Sequence, residues 1–343
     1  MTKPVEPVID ATPQEWKSLY SACEEFRRLA PWDWMDDTQV VGVEDPDSGR
    51  IGWCVVMGNA RETFGLWVYR GAHGYGTYCL LAAGIEPDFE DIAKMDYLSL
   101  SFEDRGEIDR HDLELIRKSG LRPRGRQSWP QVLSKTPWRV PWRLNAREVR
   151  YMTLVLHQIS RKAIDLKENP GTPLVKGSRL LVRRYGQVGQ DWGWSDVWLE
   201  PGEPEHERVM VTLDSAEIRD IKLAAQVTSE TWEVDVFPLL RAVGGEGIPY
   251  YPMTLLVVNR GVPPVIHSLI VKPEPGGWQL LAESFVSALK QTGRIPRRIR
   301  VKRPEVAAML GAICSALGVK LKEVERLTVL DEVRTSLEDS LGQ

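Results

Sequence analysis

Two groups of residues in this chain have types and spacing that chemistry could use. The first is Asp33, Asp36, Asp37 and Glu62, in the stretch from Pro31 to Tyr69 that also carries four of the thirteen tryptophans. Clustered carboxylates can bind Mg²⁺ or divide the work of general acid and base. With Trp32, Trp34 and Asn59 beside them, Asp36, Asp37 and Glu62 make a candidate binding surface, because polar loop residues carry function more often than core residues do. The spacing does not demand a site. Asp36-Asp37-Thr38 is equally good turn chemistry ahead of a strand. The second group is basic. Arg117 to Arg150 holds ten Lys/Arg and one acid, Glu148, interleaved with Trp129, Trp138 and Trp142. Cations neutralise phosphates and indoles stack on bases, so this composition fits single-stranded nucleic acid, with Arg139 and Arg143 as candidate contacts. The favoured alternative is structural. Residues 86–114 hold eleven acids against three bases, and the two blocks can neutralise each other within one fold.

Other features point less sharply. Gly71–Gly76, GAHGYG, lacks the spacing of a phosphate loop and reads as a tight turn. His73 lies inside it. His111, His157, His206 and His267 show no ligand spacing, and His157 is expected as a hydrogen-bonded core residue. Trp192, Trp194 and Trp198 share one strand face, with burial favoured over an exposed stacking platform. Arg294 to Arg303 packs six cations into ten residues. Arg298, Arg300 and Lys302 are expected on a solvent face that discourages edge pairing. No GxSxG, HExxH or P-loop motif occurs.

The bulk numbers narrow the classes. A chain of 343 residues has room for two or three cored domains. Its net charge of -4 gives no global attraction to nucleic acid or anionic membrane. Cys23, Cys54, Cys79 and Cys314 are far apart, so a closed zinc site is not expected, and reduced core thiols of a cytoplasmic protein are. The N-terminus lacks an apolar signal region, and no apolar run approaches membrane-spanning length. No cofactor, metal or membrane partner is expected.

The elements that would position these groups follow from capping and periodicity. After a short arm over residues 1–11, Thr12 and Glu15 make a capping box ahead of a helix ending at Pro31. Val40–Val43, Ile51–Met57 and Thr63–Tyr69 form a meander turned at Asp45–Gly49. Tyr97–Phe102 alternates as a strand, and Asp109 caps a helix closed by Gly120. A second capping box, Asn145 and Glu148, opens a long helix to about Lys167. That helix is expected to join a domain over 1–145 to one over 172–343, with 146–171 as connector. The second half opens with strand-like runs at Arg179–Tyr185, Trp192–Leu199 and Arg208–Leu213. Its last part reads β-β-β-α-β-α-β-α, with Glu233 and Asp235 facing outward from the first strand. The fold class is α+β, an antiparallel N-terminal meander with helices and a C-terminal mixed sheet.

Three stretches, Pro31-Trp32-x-Trp34-Met35-x-Asp37, Gly42-Val43-x-Asp45-Pro46 and Gly52-Trp53-Cys54-x-Val56-Met57-Gly58, resemble an uncharacterised bacterial domain family of unknown function over roughly residues 15–120. The region from Tyr251-Pro252 to Asp331-Glu332 resembles a second such domain. Neither resemblance implies an activity. The C-terminal order also resembles a ribonuclease H-like fold, which holds two metal ions on acids of its first strand, first helix and fourth strand. That resemblance offers Asp235, Glu283 and Asp331 as catalytic acids, with Lys302 where the fourth-strand acid belongs, so the set is incomplete. The leading expectation is therefore a non-enzymatic protein binding a protein or small molecule. The alternative is a metal-dependent enzyme of nucleic acid, or a nucleic-acid binder, on a degenerate ribonuclease H-like domain.

Overall fold

The computed structural model describes residues 10–188, 191–203, 209–244, 247–261 and 264–341. Most of the expected N-terminal arm, together with His206 and Arg208, lies outside the described residues. The chain forms two units, residues 1–137 with 141–205 and residues 138–140 with 206–343. Among the described residues, no helix is long and apolar enough to cross a membrane.

The first unit is built on one sheet. Its elements are α1 (Pro13–Leu29), β1 (Val40–Glu44), β2 (Ile51–Met57), β3 (Gly65–Arg70), α2 (Gly71–Ala82), α3 (Phe89–Lys94), β4 (Tyr97–Glu103), α4 (Arg110–Ser119), β5 (Trp129–Lys135), α5 (Ala146–Glu168), β6 (Val175–Lys176), β7 (Arg179–Val188) and β8 (Asp191–Leu199). The strands run in the order β5-β4-β3-β2-β1-β7, antiparallel except where β1 meets β7, and β7 also pairs with β6 and β8. Period-two alternation divides the apolar side chains between two faces. Val41, Val43, Cys54, Val56, Leu66, Val68, Leu98 and Leu100 join the core that contains residues of α1 and α5. Val40, Trp53, Val55 and Tyr69 pack with Tyr75 and Tyr78 of α2 on the other face.

The second unit holds α6 (Ser215–Ala224), β9 (Gln226–Val227), β10 (Thr231–Pro238), β11 (Met253–Asn259), β12 (Val265–Val271), α7 (Gly277–Thr292), β13 (Arg294–Ile295), β14 (Arg298–Val301), α8 (Pro304–Leu317), β15 (Lys320–Glu323) and α9 (Thr328–Leu341). Its main sheet runs β12-β11-β10-β14-β15. The first three strands are antiparallel, and β14 lies parallel to both β10 and β15. Trp232, Val234 and Val236 of β10 face the core shared with α7 and α8. Phe237, Leu256 and Val258 face Leu327 and Leu330, at the start of α9. The protein is therefore α+β, with an antiparallel N-terminal sheet and a mixed C-terminal one.

Several expectations change. Gly71–Gly76 is the first part of α2, because Tyr75 and Tyr78 pack on Trp53 and Tyr69 and tertiary burial overrides poor helix propensity. Residues 209–213 make no strand. The long helix α5 belongs wholly to the first unit and buries Val149, Met152, Leu156, Ile159 and Ala163 in its core. Trp138 is a core residue of the second unit, and its neighbours Arg139 and Val140 belong there too. Trp138 adopts φ 65°, a left-handed conformation costly for a bulky residue. The Tyr251 amide donates to its carbonyl (2.8 Å), and the Val140 amide donates to Pro249 (3.2 Å).

Candidate functional site

A polar cleft lies in the first unit, where the β1–β2 turn meets the opening turns of α5. It encloses about 340 Å³ and is lined by Asp45, Ser48, Arg50, Arg70, Asn145, Arg147, Glu148 and Tyr151, among others. An adjoining recess of about 590 Å³ shares Asp45, Ser48, Arg147 and Tyr151 and adds Arg150 and Leu154. Local sequence builds each wall. Asp45 accepts from the Asp47 amide (3.1 Å) and from Ser48 Oγ, which closes the hairpin turn. Asn145 and Glu148 form the reciprocal capping box that fixes where α5 begins. Gly52 has no side chain because the Tyr151 hydroxyl occupies the space a Cβ would need. That hydroxyl donates to the Val43 carbonyl at 2.8 Å, and burial pushes its pKa well up.

Beneath the cleft lies a buried charge network. Arg70 donates through Nε to Asp96 Oδ1 (2.6 Å), through Nη1 to Glu148 Oε1 (2.7 Å) and through Nη2 to the Lys135 carbonyl (2.8 Å). Arg50 Nη2 reaches the other Asp96 oxygen at 2.6 Å and the Arg70 carbonyl at 3.0 Å. Ser134 Oγ donates to Glu148 Oε1 at 2.6 Å. Next to it, buried Lys135 donates to the carbonyls of Ala93 (2.8 Å) and Thr136 (3.0 Å), and desolvation lowers its pKa to about 8. Hydrogen-bonded pairing of this kind makes buried charge tolerable and holds guanidinium groups in fixed directions.

The residues singled out from sequence are placed elsewhere. Trp32 is 7 % exposed and sits among Phe26, Phe64 and Phe102, so this part of the lead-in is core rather than surface. Trp34 donates its indole N–H to the Ala163 carbonyl (2.9 Å), with Lys167 Nζ 4.2 Å from its ring centroid. Asp36 accepts from the Thr38 amide (2.9 Å) and hydroxyl, the turn role. Asp37 is exposed, and its carbonyl accepts from Tyr78 (2.9 Å). Asn59 and Glu62 are exposed, and the Glu62 carbonyl accepts from Gln127 (3.3 Å). Arg143 pairs with Asp109 (3.4 Å) and Asp112 (3.7 Å), so acidic and basic blocks meet there within the fold. Arg139 donates to the Ile248 carbonyl (3.3 Å) and lies over the Tyr250 ring.

The three acids suggested by the ribonuclease H-like order do not form one group. Asp235 is buried against the Arg303 guanidinium. Glu283 is exposed on α7, where it accepts from Gln279 (2.9 Å) beside a cleft that Asp214 and Glu217 also line. Asp331 is exposed on α9. Among the described residues, no group of three or more His, Cys, Asp or Glu could hold a metal ion. Glu233 and Asp235 are buried rather than outward, since α9 covers their face of the sheet. Glu233 Oε2 accepts from the Val329 and Leu330 amides, both at 3.0 Å, and caps the start of α9. Its other oxygen takes Arg300 at 3.1 Å, so Arg300 is engaged inward rather than on a solvent face.

His157 is exposed, not core. His73 Nε2 lies 3.0 Å from the Lys94 carbonyl. His267 Nε2 lies 2.6 Å from Ser284 Oγ, and burial lowers its pKa. Among the described residues no carboxylate orients this pair, so the triad logic is incomplete. Trp194 and Trp198 pack on the first unit's core, whereas Trp192 is 69 % exposed.

Two domain families of unknown function cover most of the chain. Residues 16–183 match the family model described as Domain of unknown function (DUF7309). Residues 217–338 match the one described as Domain of unknown function (DUF6930). The polar cleft lies inside the first match. No curated protein matches the chain.

Proposed function

We propose that the protein is a non-enzymatic binding protein whose first unit takes a small anionic ligand, a phosphate or carboxylate compound, in the cleft between the β1–β2 turn and α5. The placement of Arg147 and the start of α5 at one recess, beside Arg50 and Arg70 held in place by Asp96 and Glu148, supports this reading. The two acids lining it are already committed. Glu148 serves Arg70, Ser134 and the Asn145 amide, and Asp45 serves its own turn. The start of a 23-residue helix adds a favourable field for an anion. A concave site with a few convergent polar groups and perturbed ionisations is the usual shape of a small-molecule site.

The rival, a metal-dependent enzyme of nucleic acid, has less support. In the second unit guanidinium groups, not clustered carboxylates, face the buried acids Glu233 and Asp235. Three of the four thiols are buried, and desolvation raises the pKa of each, Cys314 to about 12. Such thiols make poor nucleophiles, and their reduced state fits a cytoplasmic location.

Thermal unfolding in the presence of inorganic phosphate, pyrophosphate or malonate tests the reading. At least one should raise the Tm of the wild-type chain, and Arg147→Glu should abolish the rise. No rise with any of the three, or an undiminished rise in the variant, would refute it.

A further inference from the structure

A second feature of the first unit is independent of that cleft. Between α4 and the start of β5 runs a groove of about 450 Å³. Its floor is Pro123 with Leu113, Ile116, Leu121 and Trp129, the last four part of a small apolar cluster that also contains Tyr20 and Ile108. Its rim carries Arg105, Arg117 and Arg122, all exposed.

These arginines differ from three of their neighbours. Arg110 pairs with Glu114 (3.5 Å), Arg126 with Asp104 (3.6 Å) and Arg143 with Asp109 (3.4 Å). Among the described residues, Arg105, Arg117 and Arg122 have no carboxylate partner, although acids are plentiful nearby. Arg105 instead lies over the Trp129 ring, 5.7 Å from its centroid. Three of the cations left over from internal neutralisation thus ring an apolar trough.

We infer that this groove is a docking surface for an acidic peptide segment bearing aliphatic side chains, which would fill the trough while its carboxylates meet the three arginines. The floor distinguishes this partner from single-stranded nucleic acid. Base binding needs open aromatic faces, and this floor is mainly aliphatic, with Arg105 already over its one indole. Aliphatic burial supplies affinity, and the cationic rim supplies orientation and rate.

Fluorescence anisotropy with three labelled probes tests the inference. The first is a short peptide alternating Leu with Asp, the second replaces each Leu by Ser, and the third is oligothymidylate of similar length. The Leu-Asp peptide should bind best, and added salt should weaken it. The double variant Arg117→Glu/Arg122→Glu should bind it at least about tenfold more weakly, whereas Arg110→Glu, on the same helix but outside the groove, should leave it unchanged. Absent binding, equal binding of the Ser peptide, tighter binding of the oligonucleotide or indifference to the double variant would each overturn the inference.

Discussion

Arg70 Nη1 donates to Glu148 Oε1 at 2.7 Å, which ties the end of β3 to the first turn of α5. The two residues are far apart in sequence, yet this contact aligns the walls of the candidate cleft. Removing one partner of a buried pair costs about 3–5 kcal/mol, because the other charge is left without compensation. Glu148→Ala also loses the capping box. It should lower the urea midpoint strongly, while Glu148→Gln, which keeps an acceptor for Ser134, should lose less. An Ala variant as stable as wild type would mean that the network contributes little to stability.

Lys135 gives a pH signature. Its pKa in the fold is about 8, lowered by burial from the usual 10.5. Between these values the unfolded chain holds this proton more tightly than the folded one, so the Lys135 contribution to unfolding free energy rises with pH, against the falling contribution of the buried thiols Cys23, Cys54 and Cys314. At higher pH the buried tyrosines, including Tyr69, whose pKa is raised by burial, reverse the trend. Lys135→Met leaves the Ala93 and Thr136 carbonyls short of a donor and should lower stability at neutral pH. The stability difference between wild type and that variant should also widen from pH 8 upward, because only the wild type carries the Lys135 contribution. Parallel stability curves for the two proteins from pH 8 upward would contradict this assignment.

The Asp235–Arg303 pair separates structural from catalytic use of a buried acid. Arg303→Leu leaves the carboxylate unpaired and should cost about 3–5 kcal/mol. Replacing both residues by Leu should recover much of that loss. Denaturant titration of the two single variants and the double variant closes the cycle. Strictly additive losses would show that the two side chains do not interact.

The tryptophans should fall into two classes. Trp32→Ala empties a core site and should cost about 3–5 kcal/mol. Trp192, 69 % exposed, should tolerate Ala within about 0.5 kcal/mol. Comparable losses at both positions in chemical denaturation would contradict the burial described.

Local signals were legible in the chain, and long-range ones were not. Thr12/Glu15, Asp109 with Gly120, and Asn145/Glu148 mark helix ends that the structure keeps, because caps are satisfied within a few residues. The apolar run of β2 begins and ends where the sequence places it. Strand β5 was hidden inside a Pro- and Arg-rich segment, where Pro130 argued against a strand. It lies at the sheet edge, where proline is tolerated. Glu233 and Asp235 read as outward because alternation cannot reveal that α9 will cover the second face. The cleft was invisible for a related reason. Arg50, Arg70 and Tyr151 come from three separate parts of the chain, and the recognisable patterns in the lining, the Asp45–Gly49 turn and the Asn145/Glu148 box, spoke of chain reversal and helix capping.

The placement of Trp138–Val140 bears on how the protein can be dissected. These three residues belong to the second unit, yet they are encoded between β5 and α5 of the first. No single cleavage of the chain yields both bodies whole. A fragment starting after residue 205 would lack an indole from its own interior and would leave the Pro249 carbonyl and the Tyr251 amide without their strand-like partners. Excising the triplet from the first unit would also break its path from β5 to α5. A split of this chain that keeps both units intact therefore has to carry the Trp138–Val140 segment along with residues 206–343.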